Sequence, residues 1–178
     1  MVNLRVARCY RRLERPYTRK SKYKKKGYIK AFPHHKISGF EMGDKTKLYG
    51  YKVKLVSNGS YQIRHNALES ARMVINRNLQ EVLGNNYFLR LNVYPHHALR
   101  ENKMLGGAHA DRLQSGMAHS FGKVSGTAAQ VMVGNPIFTV WVDKENIDKA
   151  KEALQTANPR LPGNKCLIEI ETNTKSLK

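Results

Sequence analysis

Acidic side chains are scarce in this sequence: 13 Asp and Glu stand against 32 Lys and Arg, leaving a formal charge of +19 at pH 7 over 178 residues. A chain so unbalanced repels itself, so it implies a polyanionic partner that neutralises it. Cysteine is nearly absent too. Cys9 and Cys166 stand near opposite ends, which is no disulfide framework and too few thiols for a structural zinc site, and a reducing cytosol is the expected setting. No apolar run approaches the roughly 18 residues a membrane-crossing helix needs. The opening Met1-Val2-Asn3-Leu4-Arg5 has none of the apolar stretch of a secretory signal. A basic amphipathic helix and a lipidation motif are also missing, which puts nucleic acid ahead of an anionic membrane as the polyanion.

What is present suffices for one packed domain. Hydrophobic residues make up 40% of the chain, enough for a core and too many for wholesale disorder. The charge is concentrated at the front, where residues 1–30 hold Arg5, Arg8, Arg11, Arg12, Arg15, Arg19, Lys20, Lys22, Lys24, Lys25, Lys26 and Lys30 against the single acid Glu14. Tyr10, Tyr17, Tyr23 and Tyr28 are interleaved, which suits stacking on bases or sugars as well as phosphate pairing. No apolar periodicity links these residues. The expectation is a basic arm and extension over 1–50, extended and ordered mainly by structured RNA.

From about residue 50 the pattern turns globular. Tyr51 to Leu55 and Tyr61 to Arg64 flank Asn58-Gly59, a two-residue hairpin signal. Asn66 and Glu69 have the spacing of a capping box, and Leu68, Ala71, Ile75, Leu79 and Val82 recur at helical spacing up to a stop at Gly84. Tyr87 to Val93 alternates as a strand. The grammar then repeats: Thr127 to Val133 and Ile137 to Val142 flank Gly134-Asn135, Asp143 is placed to cap a helix with the stripe Ile147, Ala150, Ala153, Leu154 and Ala157, and Lys165 to Ile170 makes a last strand. The expected fold is α+β: a mixed or antiparallel sheet with two helices packed against it, a core over 51–171, and a polar tail over 172–178.

Between the two halves, residues 95–126 fit neither period and contain five glycines, Gly106, Gly107, Gly116, Gly122 and Gly126. A long inserted loop in a compact domain is usually functional. Three enzyme-like fragments in it fail on geometry. His96, His97, His109 and Asp111 lack any helical His-x-x-x-His pair, and adjacent histidines on an extended chain point apart. Gly116 to Lys123 has five residues between its glycines and Val124 where a phosphate loop needs Ser or Thr. Ala118 to Gly122 lacks the strand before and the helix after that a nucleophile elbow requires. No metal, no cofactor and no catalytic activity are therefore expected. What remains is a glycine-rich loop bearing Arg100, Lys103, Arg112 and Lys123, whose backbone can approach sugar-phosphate closely. Its apolar Met104, Leu105, Leu113, Met117 and Phe121 should be buried against something outside the domain.

The stretch N-K-M-L-G-G-A-H-A-D-R-L-Q-S-G-M-A-H-S-F-G-K-V-S-G-T, together with R-V-A-R-C-Y-R, A-L-E-S-A-R-M and R-L-N-V-Y-P-H-H-A-L-R, resembles an archaeal and eukaryotic family of large-subunit ribosomal proteins, number ten of the "e" series, whose bacterial counterpart is protein sixteen. The sequence departs from the eukaryotic pattern at Gly106-Gly107, His109 and His119. The resemblance implies a hammerhead-type α+β fold docked on large-subunit rRNA near the central protuberance and the 5S rRNA, among neighbouring ribosomal proteins, in the cytoplasm. It also implies that Met104, Leu105, Gly106, Gly107, Ala108, His109, Ala110, Asp111, Arg112, Leu113 and Gln114 reach toward the peptidyl-transferase centre and tRNA, with Arg100 and Lys103 as the loop's basic shoulder. No homo-oligomer is expected. Two other classes compete: a general nucleic-acid binder of chromatin or RNA-chaperone type, and a metal-dependent nuclease using His96, His109 and Asp111.

Overall fold

The computed structural model describes residues 5–13, 29, 31–102, 117, 122–162 and 166–173. The α+β class forms as expected, with two antiparallel sheets and two helices sharing one core. In chain order the strands and α-helices are β1 (Glu41–Gly43), β2 (Tyr51–Ser57), β3 (Tyr61–Arg64), α1 (His65–Leu83), β4 (Phe88–Leu91), β5 (His97–Glu101), β6 (Lys123–Val131), β7 (Pro136–Val142), α2 (Ile147–Gln155) and β8 (Cys166–Thr172). One sheet has the order β1-β4-β7-β2-β8 and the other β3-β6-β5.

Neither expected hairpin forms. The strands flanking Asn58-Gly59 belong to different sheets, as do those flanking Gly134-Asn135; β2 pairs with β7, and β3 with β6. The two ladders are one ribbon. Val56 lies opposite Pro136 and Tyr61 opposite Val131, the same spacing on both chains, so two bent strands pass side by side from one sheet into the other. The cause is in β7, where Ile137, Phe138, Thr139, Val140 and Val142 are all buried. Such a strand is central and needs a partner on each edge. It takes β4 on one side and β2 on the other, and β8 fills the second edge of β2, which leaves β2 no edge for a hairpin with β3.

The helices follow the expected stripes with shifts at their ends. In α1, Leu68, Ala71, Ile75 and Leu79 are buried, but Leu83 takes the last inward position and Val82 is 54% exposed. Asn66 does not cap. The N-cap position falls on Arg64, without a side-chain cap bond, because β3 runs straight into the helix. Glu69 turns instead to Arg72, whose guanidinium donates to both carboxylate oxygens at 2.8 and 2.6 Å. Gly84 ends the helix as expected, at φ +62° with its N–H donating to the Gln80 carbonyl. A 3₁₀ turn at Lys144–Asn146 precedes α2, and Asp143 pairs with Lys47 at 2.8 Å rather than capping. Ala150, Ala153, Leu154 and Ala157 are buried. α1 packs on β3 and β6, α2 on β2 and β7, and the helices on each other.

The segment 95–126 also carries more order than its composition suggests. His97–Glu101 and Lys123–Val131 pair as an antiparallel ladder, from His97 opposite Ala128 to Glu101 opposite Lys123. Gly126 lies inside β6. It packs against the His65 ring, where an added Cβ would sit 3.2 Å from Nε2.

Candidate nucleic-acid interface

The N-terminal segment and the β5–β6 ladder meet around the three-stranded sheet. β3 is an edge of that sheet, and an unpaired edge invites aggregation. Here the segment 5–13 covers it. The Gln62 N–H donates to the Arg11 carbonyl at 2.9 Å, the Gln62 amide to the Tyr10 carbonyl at 3.2 Å, and Arg64 to the Arg5 carbonyl at 2.8 Å. Two guanidiniums approach the Tyr10 ring, Arg5 at 5.9 Å and Arg64 at 5.8 Å from its centre, within cation–π range. This part of the arm is tied down by backbone pairing of its own, not merely extended.

The consequence is electrostatic. Arg5, Arg8, Arg11 and Arg12 all face solvent. Among the described residues no carboxylate forms an ion pair with Arg8, Arg11 or Arg12, whereas Glu41, Glu69, Glu81, Asp143, Asp148 and Glu171 all pair with cations elsewhere. A row of unneutralised guanidiniums on a sheet edge is an anion-binding surface. Arg15, Tyr17, Arg19, Lys20, Lys22, Lys24, Lys25 and Lys26 lie outside the described residues.

The β5–β6 ladder closes the base of the expected loop. Gly122 makes this possible: its φ is +89°, and an added Cβ would sit 2.8 Å from the Glu101 carbonyl carbon and oxygen. Lys123 is exposed at that base. Arg100 stands on β5 rather than on the loop and is only 6% exposed. The ladder register slips between Leu99 and Arg100, and Ala98, Leu99 and Arg100 are buried in succession. Lys103, Met104, Leu105, Gly106, Gly107, Ala108, His109, Ala110, Asp111, Arg112, Leu113 and Gln114 lie outside the described residues.

At the other end of the ladder is a feature the sequence reading missed. Residues 32–35 read Phe-Pro-His-His and residues 94–97 read Tyr-Pro-His-His. The fold brings the two together around an open groove of about 340 Å³. His35 meets Tyr94 edge-on at 5.3 Å, Phe40 stacks on Tyr94 at 5.5 Å, and His96 lies 4.6 Å from Tyr94. His97 turns inward onto β5, and burial, with the neighbouring His96, pushes its imidazole pKa down. The repeated tetrad was the available signal. No group of three His, Cys, Asp or Glu able to hold a metal occurs among the described residues, and no helix among them is long and apolar enough to cross a membrane. Both cysteines are free thiols.

Comparison with known proteins adds to this geometry. The family described as ribosomal protein L16p/L10e matches residues 16–168. The large ribosomal subunit protein uL16 of Staphylothermus marinus is 50% identical over 161 residues, covering 89% of each chain. That of Hyperthermus butylicus is 46% identical over 157 residues, 88% of this chain and 87% of the relative. The Methanococcus aeolicus protein is 45% identical over 177 residues, 98% of each.

Proposed function

From the chain's membership of the L16p/L10e family of ribosomal proteins, we propose a division of labour for it within the large ribosomal subunit. The arm anchors the protein on rRNA near the central protuberance and the 5S rRNA, against neighbouring ribosomal proteins. The loop from Lys103 to Gln114 reaches toward the peptidyl-transferase centre and the tRNA held there, supporting late subunit maturation and translation in the cytoplasm. The protein supplies orientation and electrostatics, and no reaction is assigned to it.

The observation that carries this reading is the closed base of the β5–β6 ladder. Gly122 packs against the Glu101 carbonyl, and the ladder's last pair is Glu101 with Lys123. A stiff two-stranded stem supports a glycine-rich segment whose internal cation is Arg112, which is what a probe extended toward another molecule requires. Arg8, Arg11 and Arg12, exposed and free of ion pairs among the described residues, support the anchoring half.

Two measurements test it. The protein should stay with large subunits through a high-salt wash; release as free monomer at moderate salt would favour a general nucleic-acid binder instead. Arg112→Ala should then disturb tRNA handling or subunit maturation while the protein still sediments with the subunit. Lost subunit binding with unchanged translation would refute the division.

A further inference from the structure

We infer that the groove between the two aromatic-Pro-His-His tetrads is a receptor for a single unstacked RNA nucleobase. The inference rests on the rRNA-binding reading above and adds a specific site to it, apart from the arginines at positions 5, 8, 11 and 12 and from the segment Lys103 to Gln114.

Four observations carry it. First, the walls are planar. Phe32 is 42% exposed and Tyr94 45% exposed, and both line the groove. Exposed aromatic faces are what unstacked bases pack on. Second, the platform is preorganised. Pro33 and Pro95 each precede a groove histidine and fix the backbone φ there. The Tyr94 ring is held by Phe40 stacked against it, by His35 edge-on and by His96 at a tilt. The His96 N–H donates to the Tyr94 carbonyl at 3.0 Å, which tightens the turn.

Third, the groove has hydrogen-bonding capacity left over. Thr127, on β6, is 5% exposed and lines the groove, yet its Oγ1 has no hydrogen-bond partner among the described residues. The buried Nδ1 of His35 is in the same position. Buried polar groups are nearly always satisfied, so two such groups beside one groove point to a missing partner. A base edge, which offers donors and acceptors in one plane, satisfies both kinds.

Fourth, the sign of the charge is right. No acidic residue lines the groove. Lys36, next to His35, is exposed and stands ready for the phosphate that accompanies the base. The volume, about 340 Å³, lies at the low end of the roughly 300–1,000 Å³ typical of small-ligand pockets, and so suits one base rather than a helix.

The test uses the full-length chain and a short single-stranded RNA carrying one fluorescent purine analogue, with the same strand annealed to its complement as control. The protein should bind the single strand more tightly than the duplex and quench the analogue. Tyr94→Ala should weaken single-strand binding roughly tenfold and abolish the quench. Tyr94→Phe, which keeps the ring, should bind like the parent chain. Thr127→Val, nearly isosteric, should also weaken binding, which guards against a Tyr94→Ala variant that merely misfolds. If Tyr94→Ala and Thr127→Val bind and quench as the parent does, the groove assignment falls while the RNA-binding reading stands. If the parent chain binds neither RNA at low salt, both fall. Ultraviolet crosslinking of large subunits should join Tyr94 or His96 to a nucleotide; crosslinks to another ribosomal protein instead would overturn the assignment.

Discussion

The backbone carbonyl of Ser57 accepts a hydrogen bond from the Gly134 N–H at 2.8 Å, and the Ser57 N–H donates to the Asn135 carbonyl at 3.0 Å. Ser57 is 1% exposed, and its hydroxyl donates to the Gly59 carbonyl. These bonds lie where the two bent strands leave one sheet for the other. They keep backbone groups paired through a corner that would otherwise bury them unsatisfied. The corner is also why one core serves both sheets.

Three glycines therefore carry different weights. Gly134 has φ +82° with open space where a Cβ would go, whereas Gly43, at φ +86°, lies against Tyr87, whose carbonyl a Cβ would strike. Gly134→Ala and Gly84→Ala meet only the backbone strain of a positive φ and should each cost about 1–3 kcal/mol. Gly43→Ala adds a backbone clash and should cost clearly more. Urea unfolding of the three variants checks the order. Equal losses would mean that the close approach of β1 to Tyr87 is not real.

His65 should make stability depend on pH. It is 9% exposed, and burial, then the charges of Lys36, His35 and Arg64, hold its pKa below the ordinary 6.5. Its Nδ1 accepts the Lys36 N–H at 3.1 Å, a bond that protonation there destroys. The unfolded chain takes up the proton first as pH falls, so the unfolded state binds more protons below 6.5. Stability is thus retained above that pH and lost as pH drops from it toward the lower folded value. His97, also lowered mainly by burial, adds in the same direction. Unfolding at about pH 7.5 and about pH 5.5 should show a drop that His65→Gln reduces; an undiminished drop would exclude His65 as a source.

How much of this the sequence disclosed depends on what each element answers to. The helix stripes were legible because Leu68, Ala71, Ile75 and Leu79 repeat at the period of one buried face. The ends were not. Asn66 has the chemistry of a cap but sits within a helix that begins at His65, because tertiary pairing of β3 sets where the chain turns. Both hairpins failed for a non-local reason, the demand of β7 for two partners, which no two-residue signal encodes. In the candidate site, the four exposed arginines at positions 5, 8, 11 and 12 were legible from charge. Arg100 was not, since a register slip inside a ladder turns it inward. The groove was legible in principle as a repeated tetrad, but the 58 residues between the two copies hid the pairing.

The arm's contribution to RNA affinity should be ionic and countable. Arg8, Arg11 and Arg12 are exposed and free of ion pairs among the described residues. Replacing all three by Ala should lower the slope of log affinity against log salt by about 1 per residue. Far-ultraviolet dichroism should be unchanged, because the backbone carbonyls of Arg5, Tyr10 and Arg11, not these side chains, hold the segment to β3. Titration of large-subunit rRNA at several salt concentrations measures the slope. An unchanged slope would mean that these arginines do not meet phosphate.

The loop and its stem should separate in stability. The core is built from the helices and the inner faces of both sheets, and no described residue between 102 and 128 belongs to it. Deleting Gly106–Gln114 removes chain beyond the ladder and should leave cooperative unfolding within about 1 kcal/mol of the parent. Gly122→Ala changes one atom at the stem. It combines φ +89° with a Cβ 2.8 Å from the Glu101 carbonyl, so the last pairs of β5 with β6 must open to admit it. It should destabilise more than the whole deletion, and amide exchange should rise at Glu101 and Lys123 while α1 stays protected. If the deletion abolished cooperative unfolding instead, the loop would be part of the fold, and its assignment as a probe reaching outside the domain would fail.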